Sequence, residues 1–371
     1  MHIKNLLLKN FRNYKNEKVS FHKKVNIIIG NNAQGKTNLL EALYMMSIGK
    51  SFRTNRDQDM IMFNEKNAYF KVWCIKENSE ITIDIFLDKN QKKAIKINDI
   101  KLRKNTDILE NLYIVVFSPE DLKIVKEGPE KRRNFINREL CLIKPLYYHN
   151  LYKYSKIILQ RNAFLKEHKY ENYDKNMLEI WDNELSKYGI KIIKDRMDFI
   201  KKLNIISKEI HKNITNGKER IELIYETNVL ENEDINNLEF EKIYLSKIKN
   251  HRKKDFFRGN TNIGPHKDDI RIMVNDKDIR HFGSQGQQRT ASLSLKLAEI
   301  KLIKEETGEI PILLLDDVLS ELDYLRQKYL ISSLKDVQLF ITATEINALL
   351  KDNLTDHYIF RVFDGKIIKE K

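Results

Sequence analysis

Gly30-Asn31-Asn32-Ala33-Gln34-Gly35-Lys36-Thr37 satisfies the pattern G-x-x-x-x-G-K-[ST] at every required position, and its flanks agree with it. Upstream, Val25 to Ile29 is a largely apolar, β-branched run of buried-strand length. Downstream, Leu39, Leu40 and Leu43 recur along one side of a helix. The residue types follow from the chemistry of holding phosphate. Gly30 and Gly35 let the backbone curl tightly with its amides inward, and the helix adds the partial positive charge of its N-terminus. Lys36 is then expected to reach the β- and γ-phosphates of a nucleotide, with the Thr37 hydroxyl as a ligand of Mg²⁺.

Further along, Ile312-Leu313-Leu314-Leu315-Asp316-Asp317 reads as a buried parallel strand ending in two carboxylates, at the edge where α/β sheets place ligands. Asp316 is the expected second Mg²⁺ residue, and Asp317 the group that orients or deprotonates an attacking water. Between the two motifs, Gly283-Ser284-Gln285-Gly286-Gln287-Gln288-Arg289 precedes a helix with Leu293, Leu297 and Ile300 inward. A Ser-capped, Gly-containing helix start of this kind is a natural anion site, which makes Ser284, Gly286 and Gln287 candidates for the nucleotide. Ser320-Glu321-Leu322-Asp323 and the strand Leu339 to Thr344 complete the constellation.

The rest of the chain divides by pattern. Leu6 to Phe21 suggests a hairpin, with Arg12 near its turn either a solvated charge or a nucleotide contact, and Lys50 to Thr54 forms a basic turn. Ala68 to Ile75, Ile81 to Leu87 and Ala94 to Ile97 alternate as antiparallel strands. From Asp121 to Lys218 the signal is helical, with Tyr147, Leu151, Tyr154 and Ile158 on one face. That stretch holds 22 Lys and Arg against 13 Asp and Glu, a net +9 of the chain's +14 over 371 residues. A quarter of the chain thus carries most of the excess charge, so a polyanion such as DNA is the expected partner of a basic helical lobe. Gly264-Pro265-His266-Lys267-Asp268-Asp269 matches no metal spacing and reads as a capped turn. Cys74 and Cys141 form no C-x-x-C pair, and no apolar run is long enough for a signal peptide or a membrane span, so a soluble, cytoplasmic protein is expected.

Taken together, this order of motifs resembles the ABC-type ATPase heads of the SMC class. The segments Asn10-Phe11-Arg12-Asn13-Tyr14, Phe117-Ser118-Pro119-Glu120-Asp121-Leu122, Arg132-Arg133-x-Phe135, Gln160-Arg161-Asn162-Ala163 and Gly264-Pro265-His266-Lys267 resemble, more closely, the RecF family of bacterial recombination mediators. The resemblance implies an α/β ABC-type ATPase head with a mixed β-sheet, built from 1–120 and 219–371, and an inserted basic helical lobe at 121–218. It implies ATP and Mg²⁺ as ligands and an ATP-dependent homodimer in which Ser284, Gly286 and Gln287 of one subunit cap the γ-phosphate held by the other. It implies non-sequence-specific binding of single-stranded and duplex DNA, with Arg132, Arg133 and Arg161 as candidate contacts. RecO and RecR would be partners in RecA loading, repair, replication and SOS induction, with slow DNA-stimulated hydrolysis. Asp317 stands where transporter and SMC heads usually carry Glu, one methylene longer.

Two other readings are open to a chain with these motifs. A transporter ATPase subunit is disfavoured by the basic lobe between Lys36 and Ser284. A purely structural SMC-like head is disfavoured because no heptads are evident over 121–218, whose helices are expected to run to roughly 20–25 residues, about 30–40 Å.

Overall fold

The strand before the phosphate loop is buried at every residue, inside the sheet where a largely apolar run belongs. The computed structural model describes residues 1–54, 56–76, 79–168, 173–230, 237–334, 336–345 and 356–370. In chain order the elements are β1 (His2–Phe11), β2 (Tyr14–Ser20), β3 (Val25–Ile29), α1 (Lys36–Ile48), β4 (Asn67–Lys76), β5 (Ser79–Asp88), β6 (Ala94–Ile97), β7 (Ile100–Lys101) and β8 (Ile114–Phe117). Then come α2 (Leu122–Lys126), α3 (Pro129–Ile143), α4 (Pro145–Glu167), α5 (Lys175–Ile214), β9 (Ile221–Glu226), α6 (Asn237–Arg258), β10 (Asp269–Val274), β11 (Lys277–Asp278) and α7 (Ile279–Phe282). The chain closes with α8 (Gln285–Thr307), β12 (Ile312–Asp316), α9 (Tyr324–Ser332), β13 (Leu339–Ala343), β14 (His357–Phe363) and β15 (Lys366–Lys369). Two units result, Met1–Leu122 with Ser292–Lys371, and Lys123–Ala291.

The first unit is built on two sheets. One has the order β15-β14-β3-β13-β12-β8, parallel from β14 to β8 with β15 antiparallel at its edge. The other, β2-β1-β4-β5-β6-β7, is antiparallel throughout. Helix α1 touches strands of both. Its Leu39, Leu40 and Leu43 therefore join one core with Phe70, Val72 and Ile85 of the antiparallel sheet and Ile28, Leu314 and Phe340 of the parallel one. Full burial of each such side chain contributes about 1.5–3 kcal/mol, so α1 is anchored on two sides. The antiparallel strands bury alternate residues, with Leu6 and Leu8 inward and Leu7 and Lys9 outward. That alternation puts one face of the sheet in the core and leaves the other outside it.

The second unit packs α4, α5 and α6 together and pairs β10 with β9 and β11. It extends past the expected boundary at 218. Residues 219–291, expected to return to the ATPase head, belong to this unit because β9 packs on α5, α6 packs on α5, and β10 pairs with β9 in register. Helix α5 also exceeds expectation, with 40 residues, about 60 Å at the α-helical rise. It carries a heptad seam as well. Leu178, Leu185, Ile192, Phe199 and Ile206 are buried at seven-residue intervals, with Asp182, Gly189, Arg196, Leu203 and Ile210 four residues after each. Charged residues at two of those second positions and a glycine at a third hide the repeat from an apolar scan. Among the described residues, no helix is long and apolar enough to cross a membrane.

Candidate functional site

The phosphate loop is braced from outside. Asn13 Nδ2 donates to Gln34 O at 2.7 Å, Tyr14 Oη donates to Gly35 O at 2.8 Å, and the Asp364 amide donates to Gln34 Oε1 at 2.7 Å. Gly30 and Gly35 have φ of 153° and 119°. A Cβ on Gly30 would stand 2.4 Å from Val362 O, and one on Gly35 2.6 Å from Asn13 Nδ2. Both positions thus demand glycine for space as well as for backbone freedom. Within the Asn10–Tyr14 segment, Asn13 and Tyr14 buttress the loop.

Inside the loop, Lys36 is 4% exposed and its Nζ donates to Gly30 O at 2.7 Å and Asn31 O at 3.2 Å. Thr37 Oγ1 donates to Asp316 Oδ1 at 2.9 Å, and Thr342 Oγ1 lies 3.0 Å from the same oxygen. The parallel register sets this meeting, because Asp316 is paired with Thr342 and β3 lies on the other side of β13. Burial raises the Asp316 carboxyl above the usual range, against the pull of the Thr37 and Thr342 hydrogen bonds. A cation against this carboxylate would reverse that bias. One hydroxyl and one carboxylate, both hard oxygen donors, fit Mg²⁺, which keeps several waters and leans on phosphate oxygens. Among the described residues there is no group of three or more His, Cys, Asp or Glu able to hold a metal.

Asp317 leaves β12 in a left-handed conformation, φ 52° and ψ 16°. Its amide donates to Thr342 Oγ1 at 2.9 Å. Asp is among the non-glycine residues that adopt this region most readily. Its side chain lines a cavity of about 330 Å³ together with Asn31, Asn32, Ala33, Gly35, Lys36, Thr37, Asn38 and Arg53. The two sequence motifs, 279 residues apart, therefore meet at one opening.

Arg12 does not line this cavity. Its Nε and Nη2 make a bidentate pair with Glu41 at 2.9 and 2.7 Å, and Nη1 donates to Asp59 O at 2.6 Å. Glu41 is fully buried in α1 and also accepts from Ser51 Oγ, with Arg53 Nη1 at 3.5 Å. The arginine at the opening is Arg53, whose Nη1 donates to Asn38 Oδ1 at 2.7 Å. Sequence reasoning found the basic turn but not its place, since neither periodicity nor spacing reports a loop folding back on α1.

In the second unit, Ser284 and Gln287 form a reciprocal cap: the Gln287 amide donates to Ser284 Oγ at 3.2 Å and the Ser284 amide to Gln287 Oε1 at 3.0 Å. Gln287 Nε2 donates to Glu219 Oε1 at 3.0 Å, whereas Ser284 is exposed. The helix start is therefore preformed, with Gln287 committed to building it.

Two of the three candidate DNA arginines are buried. Arg161, fully buried, donates from Nε to Asp182 at 2.8 Å and from Nη1 to Asp255 at 2.9 Å and Thr261 Oγ1 at 2.8 Å. Arg132, 3% exposed, holds Asp269 bidentately at 2.6 and 2.9 Å and caps the Ile124 and Glu127 carbonyls. Neither guanidinium can reach a phosphate without leaving a carboxylate unpaired, so both are internal struts. Arg133 is half-buried and donates to Asp268 O at 2.8 Å.

His266 belongs to the same framework. Its Nε2 faces Thr261 O at 2.8 Å, a pure acceptor, so Nε2 carries the proton and Nδ1 accepts from Tyr154 Oη at 2.7 Å. Burial lowers its pKa from 6.5 to about 4. A lowered folded pKa gives stability that is complete above pH 6.5 and is lost as pH falls toward 4, at most about 3 kcal/mol. In a Trp73→Phe background, stability measured by urea unfolding with Trp181 fluorescence should therefore fall between about pH 7 and pH 5, and fall less when His266→Asn is added.

Comparison with known proteins gives one answer. Residues 2–362 match the RecF/RecN/SMC N terminal domain. The chain is 48% identical over 370 residues to the DNA replication and repair protein RecF of Clostridium botulinum (strain 657 / Type Ba4), covering 99% of each. It is 47% identical to that of Alkaliphilus oremlandii, covering 99% of this chain and all of the relative. A solved structure of the recombination mediator protein RecF with ATP in the RecFOR pathway superposes with a TM-score of 0.93 at 37% identity, covering all of this chain and 98% of that one. An Smc head bound to the C-winged helix domain of ScpA, at 18% identity and TM-score 0.56, shares the fold. With an ABC-type α/β head, a phosphate loop closed by Asp316 and Asp317, and this likeness from end to end, the chain belongs to the RecF family within the RecF/RecN/SMC class.

Proposed function

We propose that the chain is an ATP-switched DNA replication and repair protein of the cytoplasm. ATP closes a homodimer on single-stranded or duplex DNA, RecO and RecR act with it to direct RecA loading at gaps and SOS induction, and slow, DNA-stimulated hydrolysis releases it. The carrying observation is the Thr37–Asp316 contact with Lys36 and Asp317 at the same cavity. The names of the relatives and the RecFOR pathway of the ATP-bound structure support the biological role.

Each residue has a stated task. Lys36 exchanges the Gly30 and Asn31 carbonyls for β- and γ-phosphate oxygens, keeping its hydrogen bonds while neutralising charge. Thr37 and Asp316 would hold Mg²⁺, which when bound would supply charge neutralisation at the phosphates. Asp317 orients the attacking water, and its short side chain is consistent with slow turnover. Ser284, exposed at a helix N-terminus beside Gly286, presents its hydroxyl to the γ-phosphate held by a second copy, because one loop leaves a side of that phosphate open. DNA affinity comes from exposed lysines such as Lys153, Lys156 and Lys201, and is steeply salt-dependent.

Light scattering with and without ATP and Mg²⁺, repeated with gapped duplex DNA, tests the reading. The mass should double with ATP, more completely with DNA; a monomer under every condition removes the clamp. Asp317→Asn should keep ATP, slow hydrolysis by about 10²–10⁴-fold and prolong the dimer. Hydrolysis at the original rate would dismiss Asp317 as the water-orienting group. Ser284→Arg should bind ATP as a monomer and fail to dimerise, and normal dimerisation would remove the signature from the interface.

A further inference from the structure

The outer face of the antiparallel sheet in the first unit carries aromatic and basic side chains in adjoining rows. Register places Lys9 opposite Tyr69, Leu7 opposite both Lys18 and Lys71, and Asn5 opposite Trp73. On the next strand Tyr69 faces Phe86 and Lys71 faces Asp84, and Lys96 stands beyond Asp84. Directly opposed residues share a face, and the alternate residues Phe70, Val72, Ile83 and Ile85 fill the core on the other side. Trp73, Tyr69 and Phe86 are therefore a solvent-facing aromatic set, with Phe86 36% exposed.

The lysines are arranged around the indole. Lys71 Nζ is 5.5 Å and Lys18 Nζ 5.9 Å from the centre of the Trp73 ring. Edge strands commonly carry lysine to prevent pairing with other sheets, but Lys9 and Lys71 lie on β1 and β4, two interior strands of this sheet. Edge protection does not account for them. The basic character also continues into the β6–β7 hairpin, where residues 89–104 hold seven Lys and Arg against one acidic residue, Asp99. Asp84 is the sole carboxylate in the rows named above, and it is already committed to Tyr69 Oη and to Lys71 at 3.2 Å.

We propose that this sheet face is a binding site for unpaired nucleic-acid strands, distinct from the lysines of the helical unit. Bases stack on Trp73 and its aromatic neighbours while Lys9, Lys18 and Lys96 track the phosphates. Charge selects a polyanion, and the aromatic rows select one whose bases are free to stack. A duplex keeps its bases paired and inside, so it would engage the lysines alone. An acidic protein would satisfy the lysines but leaves the aromatic rows without a specific role.

The chain has two tryptophans, so Trp181→Phe makes Trp73 the sole indole reporter. In that background, an oligothymidine of about 20 bases should quench Trp73 emission, and a duplex of equal length should not. In otherwise unaltered protein, Trp73→Leu should weaken oligothymidine binding at least about fivefold, read by anisotropy of a labelled strand, with duplex affinity unchanged. Lys18→Glu with Lys96→Glu, which keeps every aromatic side chain of the face, should flatten the salt dependence of single-strand binding. Tight oligothymidine binding with Trp73 emission unmoved, or equal loss of both DNA forms in Trp73→Leu, overturns the sheet-face site and leaves the DNA-binding reading standing. Absence of binding to either DNA form overturns both.

Discussion

Lys36→Ala should lose ATP binding by roughly a hundredfold or more, about 3 kcal/mol, while remaining folded. Nζ is the one buried cation of the loop, 4% exposed, and it already sits within hydrogen-bond distance of the Gly30 and Asn31 carbonyls. Both of these acceptors are neutral. When phosphate arrives it exchanges them for charged ones, so most of its interaction energy exists only in the bound state. Truncation therefore costs binding far more than stability. The Asn13, Tyr14 and Asp364 contacts that brace the loop from outside do not pass through Lys36. Calorimetric titration with ATP and Mg²⁺ gives the affinity directly. The rise in melting temperature that saturating nucleotide produces in the parent protein should vanish in the variant. ATP affinity retained within about threefold would mean that loop amides and Arg53 carry the phosphates instead.

What the sequence made legible, and what it concealed, follows from the range of the interactions. The phosphate loop is local: two glycines, a lysine and a threonine sit within eight residues, between a strand and a helix whose periods are both visible. The β12 motif is local too, and its neighbours in the parallel sheet follow from the rule that apolar strands ending in carboxylates face a ligand edge. Arg12 and Arg53 are a different matter. Which of them reaches the cavity is decided by Glu41, which takes the first as a bidentate partner and leaves the second beside Asn38. No pattern in the chain encodes that choice. The boundary at 218 is lost for the same reason, since β9 finds its partner in β10 more than forty residues later. In α5 the seven-residue repeat is interrupted by Asp182, Gly189 and Arg196, so two buried charges and a glycine mask a regular packing seam.

Arg161→Met should destabilise the second unit by about 3–5 kcal/mol, the loss expected when one partner of a buried ion pair is removed. Net charge along the helices identifies a basic lobe but counts a buried, paired arginine and an exposed lysine alike. Arg161 bridges α4 to Asp182 on α5 and to Asp255 on α6, and its Nη1 also meets Thr261. Asp182 keeps Arg252 at 2.8 Å and Asp255 keeps Asn262, so the variant is weakened rather than abolished. Removing the stranded carboxylate should recover part of the loss. Arg161→Met with Asp255→Asn should unfold at a higher urea concentration than Arg161→Met alone. DNA affinity, measured at a temperature where the variant is folded, should keep the same salt slope, because no phosphate contact has been lost. A guanidinium that touched DNA would instead lower that slope by about one unit. An unchanged unfolding midpoint with a reduced salt slope would return Arg161 to the DNA surface, whereas the reverse pattern fixes it as the strut that joins three helices.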